Sequence, residues 1–571
     1  MKIEVRTTTC AAATWLLLVA CVSPQTPSIP SAASVVSQQP TAPKRLVVAI
    51  QGDINLFYSK ANPNSGAIAG LDAVEDLVLA GMSIVDNQGT LQPQLAEAVP
   101  SVDNGLWRVL PDGRMETSWT IRPNVSWHDG VPLGASDLAF TGSIIRDPEL
   151  PTFRDRNSAF LDAVEVIDSR TVVAKWNRPF IGADALFTRA FAAPLPRHLL
   201  ERTYGEDKAN FTNGRYWSEE FVGLGPYRVR EFERGVRIIL DANDGYALGR
   251  PKIDVVEVRL IPSMSTLSAN ILSGSVEVTM GRTLSLDEGL QVRDLWADGK
   301  MDLSPANFNR IFPQLLNPSP SVIGNVQFRR AVLHAIDRQQ MVDTLQHGMT
   351  PVAHSPLLPD QPKYREVEAG IVRYEYDPRR AVQMIEELGY TRGPNGMFRD
   401  GDGQSLTVEI LADGGQDIIE KATMTVADYW QRSGIAAQPS FIPQQRYLDR
   451  EYRNARPGFL LSGGSNDLDA LYALHSANTP VPESNFVGNN GSRYMNPEYD
   501  ALVDRFLATI PMQPRMQALA QAVRHVAEEI PIFGLYYRVQ PTMITNRVVG
   551  VTARQLMSSE AWNARDWDLR Q

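Results

Sequence analysis

Apolar and polar residues alternate along several short stretches of the chain, a spacing that predicts β-strands with one buried face. The apolar stretch at residues 45–51 predicts a buried first strand. An Asp-Gly turn between two apolar runs predicts a hairpin at residues 107–114. Alternation at residues 256–260 and again at 406–412 predicts two further strands, and the second of these ends before Asp413.

Apolar residues at helical spacing become frequent in the second half of the chain and predict amphipathic helices there. Asn325 stands where an N-cap is expected for the first of them, and Asp337 begins a second helix that Gly348 ends. An Asp-Pro pair at residues 377–378 opens a third helix, which Gly389 ends. Strands and helices together indicate a mixed α/β chain of several lobes.

The first residues predict that the chain is exported. The apolar run at residues 10–20 is shorter than the about 20 residues that span a bilayer, and it has the length of a signal-peptide core. The tetrapeptide LVAC that ends at Cys21 resembles the bacterial lipobox, so residues 1–20 are predicted to be a signal peptide and Cys21 to receive lipid. An ordinary secretory signal cut near the same position is the alternative. Residues 21–44, rich in Ser, Pro, Gln and Thr, predict a flexible tether after the lipidated cysteine.

Composition and charge exclude several classes of protein. The 571 residues carry a formal net charge of −10, which argues against nucleic-acid binding because that function needs a basic face. The two cysteines are Cys10 and Cys21, so the mature chain is predicted to have no disulfide framework and no thiolate metal site. Away from the start of the chain no stretch is long and apolar enough to predict a membrane span.

Sequence patterns of catalysis are sparse: the chain contains no His-Glu-x-x-His, no phosphate-binding Gly-x-x-x-x-Gly-Lys and no Gly-x-Ser-x-Gly. The residues WHDG at 127–130 predict a turn rather than a metal pair, because two adjacent side chains seldom converge on one ion. The residues DGDGQ at 400–404 predict a hairpin turn rather than a calcium loop, because Leu411 stands where the closing Glu would be. The chain is therefore predicted not to be an enzyme, with no catalytic residue, no metal site and no cofactor.

The sequence SGGSNDLD at residues 462–469 follows an apolar strand at residues 459–461. A strand that leads into a Gly-rich polar loop can present backbone amides and carboxylates to a ligand. The same pattern fits a surface loop in which Asp467 or Asp469 caps the next helix. The residues alone leave both interpretations open.

Six segments, in order, resemble the family 5 extracellular solute-binding proteins, the peptide/nickel class that serves bacterial ABC importers. Each segment alone is weak evidence for the family, but six segments in the right order are specific to it. The similarity covers residues 45–571. The segments are LQPQLAE from Leu91, WHDGVPL from Trp127 with ASDLAF after it, GLGPYRV from Gly223, GRPKID from Gly249, FRRA…AIDR from Phe328, and YDP…LGY from Tyr376.

This resemblance implies an α/β chain with a two-lobe, periplasmic-binding-protein-like (type II) fold and an extra domain inserted in the first lobe. It also implies a hinge near Asn307 and Pro531, about which the lobes close over a ligand. The implied divisions are 45–80, 221–305 and 533–571 for lobe I, 81–220 for the inserted domain, and 306–532 for lobe II.

The function that the resemblance implies is that of a lipid-anchored binding component of an ABC importer. Such a protein captures an oligopeptide or similar solute and delivers it to the permease subunits in the membrane. It would be an exported lipoprotein, in the periplasm or on the outer face of the cytoplasmic membrane, and it would act as a monomer. A secreted hydrolase on an α/β scaffold and a non-transport peptide-binding adaptor or chaperone are the alternatives.

Position and resemblance together suggest ligand-binding residues. Peptide-binding members of the family carry, in the loop equivalent to residues 462–469, an Asp that anchors the α-amino group of the ligand. Ser465 stands in its place, which argues against peptides with a free α-amino group and leaves other amphiphilic solutes as candidates. Asp467 lies two residues on, about 6 Å away in an extended chain. The candidate ligand-binding residues are Asp53, Asn55, Asn307, Asp413, Gly463, Gly464, Ser465, Asn466 and Asp467.

Overall fold

The structure is a computed structural model, and it describes residues 42–61, 68–154, 156–359, 361–464, 468–555 and 558–570. Residues Pro43–Gln571 form one compact unit. Of the preceding unit, Met1–Ala42, the structure describes Ala42, which is exposed. The predicted signal peptide, Cys21 and most of the predicted tether lie outside the described residues.

The strands and helices alternate along the chain, as expected for an α/β protein. The strands are β1 (Arg45–Ile50), β2 (Ser83–Val85), β3 (Leu91–Pro93), β4 (Trp107–Val109), β5 (Met115–Thr120), β6 (Leu161–Val166), β7 (Thr171–Trp176), β8 (Tyr227–Glu233), β9 (Arg237–Ala242), β10 (Val255–Leu260), β11 (Val278–Thr279), β12 (Gly299–Pro313), β13 (Thr391–Arg392), β14 (Phe398–Arg399), β15 (Thr407–Asp413), β16 (Ala436–Ile442), β17 (Phe459–Gly464), β18 (Phe533–Thr545), β19 (Val548–Val549) and β20 (Asp568–Leu569). The helices are α1 (Leu71–Val78), α2 (Ala135–Arg146), α3 (Arg189–Ala192), α4 (Arg197–Glu206), α5 (Lys208–Asn213), α6 (Met264–Leu272), α7 (Leu286–Leu295), α8 (Val326–His334), α9 (Arg338–Leu345), α10 (Pro362–Val367), α11 (Pro378–Glu387), α12 (Asp417–Arg432), α13 (Arg450–Asn454), α14 (Leu468–Ala473), α15 (Pro497–Ala508) and α16 (Met512–Glu529).

A ten-stranded sheet runs through the unit in the order β16-β15-β17-β12-β18-β11-β1-β10-β9-β8. β1 pairs in parallel with β10 and β11, and β15 pairs in parallel with β16 and β17. β12 and β18 lie between these two groups and pair with each other in antiparallel fashion. A second sheet, of four strands in the order β4-β5-β7-β6, is formed within residues 107–176.

The two central strands, β12 and β18, are long, with 15 and 13 residues. The first half of β12 pairs with the second half of β18, from Gly299 opposite Thr545 to Leu303 opposite Pro541. The register then shifts between Pro305 and Asn307 and again after Asn309. Proline has no amide N–H to give to the ladder, and an irregular register locally bends and twists a strand.

The buried apolar side chains form separate clusters that follow the sheets. One cluster is built on β1, α1 and β10, and another lies around Trp119 and Trp176 of the four-stranded sheet. Two more cover β12, β15 and β17 with the helices that follow residue 320. The domain boundaries expected from the resemblance stay a prediction.

Most of the element predictions that rest on local sequence are confirmed. β1, β10, β15 and the β4–β5 hairpin lie where the alternation predicted them, and Gly113 in the hairpin turn has φ +85°. Asn325, Asp337 and Asp377 each accept a hydrogen bond from a backbone N–H in the first turn of the helix that follows. Local chemistry was sufficient for these elements.

Two details of the element predictions are wrong. The helix predicted to end at Gly348 ends at Leu345, and a turn in which His347 has φ +50° follows it. The strand predicted to be half-buried, β10, also buries Glu257, which is 4% exposed because Arg45 and Arg259 pair with its carboxylate from either side.

The two turns predicted in place of metal sites are confirmed. At 127–130, Gly130 has φ +88° and donates its N–H to Trp127 O at 2.8 Å. At 400–404, Asp400 Oδ1 accepts hydrogen bonds from the N–H groups of Asp402 and Gln404. In the described part of the chain no three acidic, His or Cys side chains converge as metal ligands would. The same part contains no helix that is both long and apolar enough to cross a bilayer.

Candidate functional site

The middle of the ten-stranded sheet brings polar side chains together, and we call this region the strand junction, defined by Asn307, Asn309, Gly463 and Arg538. Asn307 of β12 lies opposite Arg538 of β18, and Asn309 lies opposite Gly463 of β17. Arg538 Nη1 lies 3.3 Å from the position that a Cβ would occupy at Gly463. A side chain at residue 463 would therefore crowd the guanidinium of Arg538.

Asn309 is a buried polar group whose hydrogen bonding is incomplete. The side chain is 0% exposed, and its Nδ2 donates to the Tyr536 hydroxyl at 2.7 Å. Among the described residues its Oδ1 has no hydrogen-bond partner. A buried acceptor left without a partner costs free energy, about 1–3 kcal/mol, so a donor brought by a ligand would be favoured here.

Arg538 brings a positive charge to the strand junction. It is half-buried, and Nη1 lies 3.5 Å from Gln416 Oε1, at the start of α12. In the part of the chain that the structure describes, no carboxylate pairs with it. Burial lowers the pKa of Arg538, and the positive charge of Arg282 lowers it further. The site therefore favours an anionic or strongly hydrogen-bonding group.

Arg538 and Arg282 were missed by the reading of the sequence. The signal that could have found Arg538 is its place inside the run FGLYYRVQPTMIT, where one guanidinium interrupts an apolar strand. Charged residues in buried strands are rare unless they are paired or functional.

Asp413 and Gly464 lie near the strand junction, and each is next to an arginine side chain. Asp413 ends β15, and the two terminal guanidinium nitrogens of Arg453, Nη1 and Nη2, donate to its carboxylate, Nη2 at 3.2 Å. A side chain at Gly464 would overlap the guanidinium of Arg310. The carboxylate of Asp413 is thus already paired, and Gly464 makes room for an arginine.

The prediction of a Gly-rich loop that begins at Ser462 is wrong. Ser462, Gly463 and Gly464 continue β17 and pair with Arg310, Asn309 and Phe308 of β12. Glycines are usually depleted in strands, but here the partner strand comes from about 150 residues earlier and holds them in the ladder. Ser465, Asn466 and Asp467 lie outside the described residues, and α14 begins at Leu468 with Asp469 in its first turn.

Asp53 and Asn55 are not brought to the strand junction by any contact of the described residues. Both are exposed, in the segment that follows β1. In the sheet order, β11, β18 and β12 lie between β1 and β17. They stay predicted ligand-binding residues, as do Asn307, Asp413, Gly463 and Gly464.

A cavity of about 530 Å³ adjoins the strand junction, and Ser462 and Gly463 belong to its lining. Its other walls come from β12, α13, α14 and the segment at residues 486–491. Ligand pockets of proteins commonly measure about 300–1,000 Å³. The cavity is therefore large enough to hold part of a small solute.

Comparison with known proteins agrees with this geometry. Residues 90–485 match the family model of bacterial extracellular solute-binding proteins, family 5. The chain is 22% identical over 529 residues to the oligopeptide-binding protein AppA of Bacillus subtilis, covering 90% of this chain and 91% of that protein.

Solved structures show the same fold. NikZ from Campylobacter jejuni, in complex with Ni(L-His), has a TM-score of 0.74 at 21% identity, and the match covers 92% of this chain and all of that one. NikA from Brucella suis, in complex with Fe(III)-EDTA, has a TM-score of 0.75 at 17% identity, covering 92% and 100% of the two chains.

The fold is that of the type II periplasmic binding proteins, so the predicted fold class is confirmed. The match spans more than half of the chain, and the chain belongs to the bacterial extracellular solute-binding proteins, family 5. This is an exported family of substrate-binding proteins of ABC transporters rather than of enzymes. The predictions of solute binding and of no enzymatic activity are confirmed by that membership.

Proposed function

We propose that the chain is a lipid-anchored binding component of an ABC importer, which captures an oligopeptide or similar solute and delivers it to the permease subunits in the membrane. The observation that carries the proposal is the strand junction, where β12 and β18 link two groups of parallel strands and where Asn309 Oδ1 lacks a hydrogen-bond partner among the described residues. Membership in family 5 supports the same role. The anchor is Cys21 in the LVAC tetrapeptide, and the protein acts as a monomer.

The proposed lobes are those expected from the resemblance, with lobe I at 45–80, 221–305 and 533–571, the inserted domain at 81–220, and lobe II at 306–532. The register shifts in β12, between Pro305 and Arg310, support a hinge near Asn307. The second crossing is proposed near Pro531, just before β18 begins at Phe533. At the register shifts β12 can change its twist without loss of the flanking ladders.

Three contacts between the proposed lobes support a closed arrangement. Asp287 Oδ1 lies 2.7 Å from His347 Nε2, and Asp287 Oδ2 lies 3.6 Å from Lys421 Nζ. The N–H of Ile181 donates to the carbonyl of Leu507 at 2.9 Å. The ion pairs of Asp287 are exposed and can part when the cleft opens, since exposed ion pairs contribute about 0–1 kcal/mol each.

The proposal is tested by equilibrium binding combined with X-ray scattering on the mature chain. The probes are pools of synthetic peptides of about three to nine residues and, separately, a nickel–histidine complex. A probe that binds should raise the melting temperature and reduce the radius of gyration, because a ligand held by both lobes favours the closed state. An unchanged scattering profile with a saturating, bound probe would contradict closure, and a chemically altered probe would contradict simple capture.

Arg538→Ala is expected to weaken binding of a solute found in that screen by about 10- to 100-fold, the loss of one charged hydrogen bond of about 1.5–3 kcal/mol. The melting temperature of the free protein should stay the same or rise, because the substitution removes a desolvated charge that lacks a carboxylate partner. Isothermal titration calorimetry and thermal unfolding measure the two quantities.

The matched control for that substitution is Arg432→Ala, since Arg432 is 70% exposed and pairs with Asp428 on the surface of α12. The control should bind as the wild type does. If Arg538→Ala binds as tightly as the control, the strand junction does not contact the solute.

A further inference from the structure

The cavity beside the strand junction is surrounded by more positive than negative side chains, both in its lining and behind it. Three arginines line it, and Asp469 is the carboxylate among the described lining residues. Apolar wall comes from Phe312, Leu460 and the α14 residues Ala470 and Ala473. The lining therefore combines an apolar surface with cationic groups.

The three lining arginines differ in how they are held. Arg453 forms a two-nitrogen pair with Asp413, so its charge is compensated. The guanidinium of Arg310 lies 5.2 Å from the Phe308 ring centre and 4.7 Å from that of Phe312, and this stacking fixes its place in the wall. Arg450, at the start of α13, is exposed and has no carboxylate partner among the described residues.

Two more arginines lie behind the wall and are buried. Arg456 is 3% exposed and donates to the carbonyls of Phe312 and Gly491, both of which line the cavity. Arg493 is 4% exposed and donates to Pro480 O at 2.9 Å. The partners in these bonds are neutral carbonyl groups, so neither charge is cancelled by them.

The buried guanidiniums repel each other across this wall. Burial, together with the positive charges of Arg453 and Arg493, lowers the pKa of Arg456 to about 9, and the charge of Glu409 acts in the opposite direction. Burial also lowers the pKa of Arg493, and the charge of Glu483 acts in the opposite direction. Charges in a poorly hydrated surrounding interact more strongly than charges in water, so the field of these groups reaches into the cavity.

We infer that this cavity is the subsite for an anionic group of the solute, a carboxylate or a phosphate carried on an apolar body. The inference rests on the proposed function and names the class of solute that the site selects. An anion in the cavity would meet the exposed guanidinium of Arg450 and would relieve the repulsion among the arginines behind Phe312 and Gly491. A cationic group would meet the same field with the opposite sign and is disfavoured.

The test uses pairs of synthetic pentapeptide pools whose C-termini are amidated, so that no α-carboxylate is present, each with free and N-acetylated members and apolar residues at four positions. One pair differs by Glu against Gln at the fifth position, and a second pair differs by phosphoserine against Ser. Mass spectrometry measures the peptides retained at equilibrium by the wild type, Arg450→Gln and Arg450→Glu. Arg446→Gln is the matched control, because Arg446 lies just before α13, is 48% exposed and pairs with Asp449.

The wild type and the control are expected to retain the anionic pool about tenfold better than its neutral match, the worth of one charged hydrogen bond. The preference should vanish in Arg450→Gln and reverse in Arg450→Glu. Whether Glu or phosphoserine is preferred identifies the anion. Equal retention of the anionic and neutral pools by the wild type would overturn the inference while leaving solute capture intact. Retention of no pool at all would instead overturn the proposed capture of peptides, and the inference with it.

Discussion

Replacing Arg189 with Met should lower the free energy of unfolding by about 3–5 kcal/mol, the usual cost of removing one partner from a buried ion pair. Arg189 Nε lies 2.7 Å from Asp76 Oδ1, and Nη1 lies 3.2 Å from Glu75 Oε2. The two carboxylate side chains are 6% and 1% exposed, so water cannot replace the guanidinium. Chemical denaturation at neutral pH measures the loss.

The position of Arg189 explains why the effect should be large. Burial alone would lower the pKa of Arg189, but the carboxylates of Asp76, Glu75 and Asp72 outweigh it and raise the pKa. The Ser559 hydroxyl donates to Asp76 Oδ2 at 2.6 Å, and Arg554 pairs with Asp72. The cluster therefore fastens α1 to α3 and to the segment near the end of the chain.

Two controls distinguish the cost of leaving buried carboxylates unpaired from the cost of lost packing at Arg189: a lower pH and a substitution at an exposed arginine. The loss in Arg189→Met should shrink towards about pH 5, because the uncompensated carboxylates can then take up protons. Arg197→Met, on the exposed pair with Glu201, should cost less than about 1 kcal/mol. A loss in Arg189→Met no larger than that of Arg197→Met would show that the cluster does not stabilise the fold.

Helix starts were predictable because their causes are local. Asn325, Asp337 and Asp377 each accept a hydrogen bond from a backbone N–H two or three residues ahead. Both partners of each interaction therefore lie in one short stretch of sequence. The same holds for the Asp400 turn, whose hydrogen bonds end at Gln404.

The Arg189 cluster could not be predicted from local sequence. It joins residues near positions 75, 189 and 559, and nothing in the three segments alone indicates that they meet. The strand status of Gly463 has the same origin, because its ladder partner Asn309 comes from a distant part of the chain. Long-range pairing overrode the local preference of glycine for turns.

The predicted positions of the strands indicated some residues of the candidate site but not its charged side chains. The end of β15 was located to within one residue of Asp413, whereas β17 was predicted to end at residue 461 and continues to Gly464. Whether Asp413 is available to a solute depends on Arg453, forty residues away, and no spacing rule connects the two. The positions of the arginines behind the cavity wall likewise depend on how distant segments pack, and local sequence does not predict that packing.

His128→Ala should lower the free energy of unfolding by about 3 kcal/mol at pH 7.5, through two lost hydrogen bonds and a cavity. The WHDG and GLGPY segments meet at this side chain: Gly223 N–H donates to His128 Nδ1 at 3.2 Å, and His128 Nε2 donates to Gly225 O at 3.0 Å. Gly225 N–H in turn donates to Val78 O at 3.0 Å, at the end of α1. These hydrogen bonds join the two segments to each other and to α1, and we call the bonds of His128 with Gly223 and Gly225 the lock.

The lock requires a neutral imidazole, because Nδ1 must accept the hydrogen bond from Gly223. Burial lowers the pKa of His128 from 6.5 to about 4, and the charge of Arg228 acts in the same direction. Below pH 6.5 the His128 imidazole binds a proton in the unfolded chain but stays neutral in the folded chain. Stability from this group is therefore complete above about pH 6.5 and is lost as the pH falls towards about 4, by up to about 3 kcal/mol in all.

The wild type and His128→Ala should accordingly converge in stability as the pH is lowered from 7.5 to about 4.5, which urea unfolding at a series of pH values measures. His347→Ala is the control, since His347 is 43% exposed and its loss should cost less than about 1 kcal/mol at pH 7.5. The lock would be disproved by a difference between wild type and His128→Ala that grows on acidification. Such growth would mean that a charged imidazole, rather than the neutral acceptor of the Gly223 N–H, holds the two segments together.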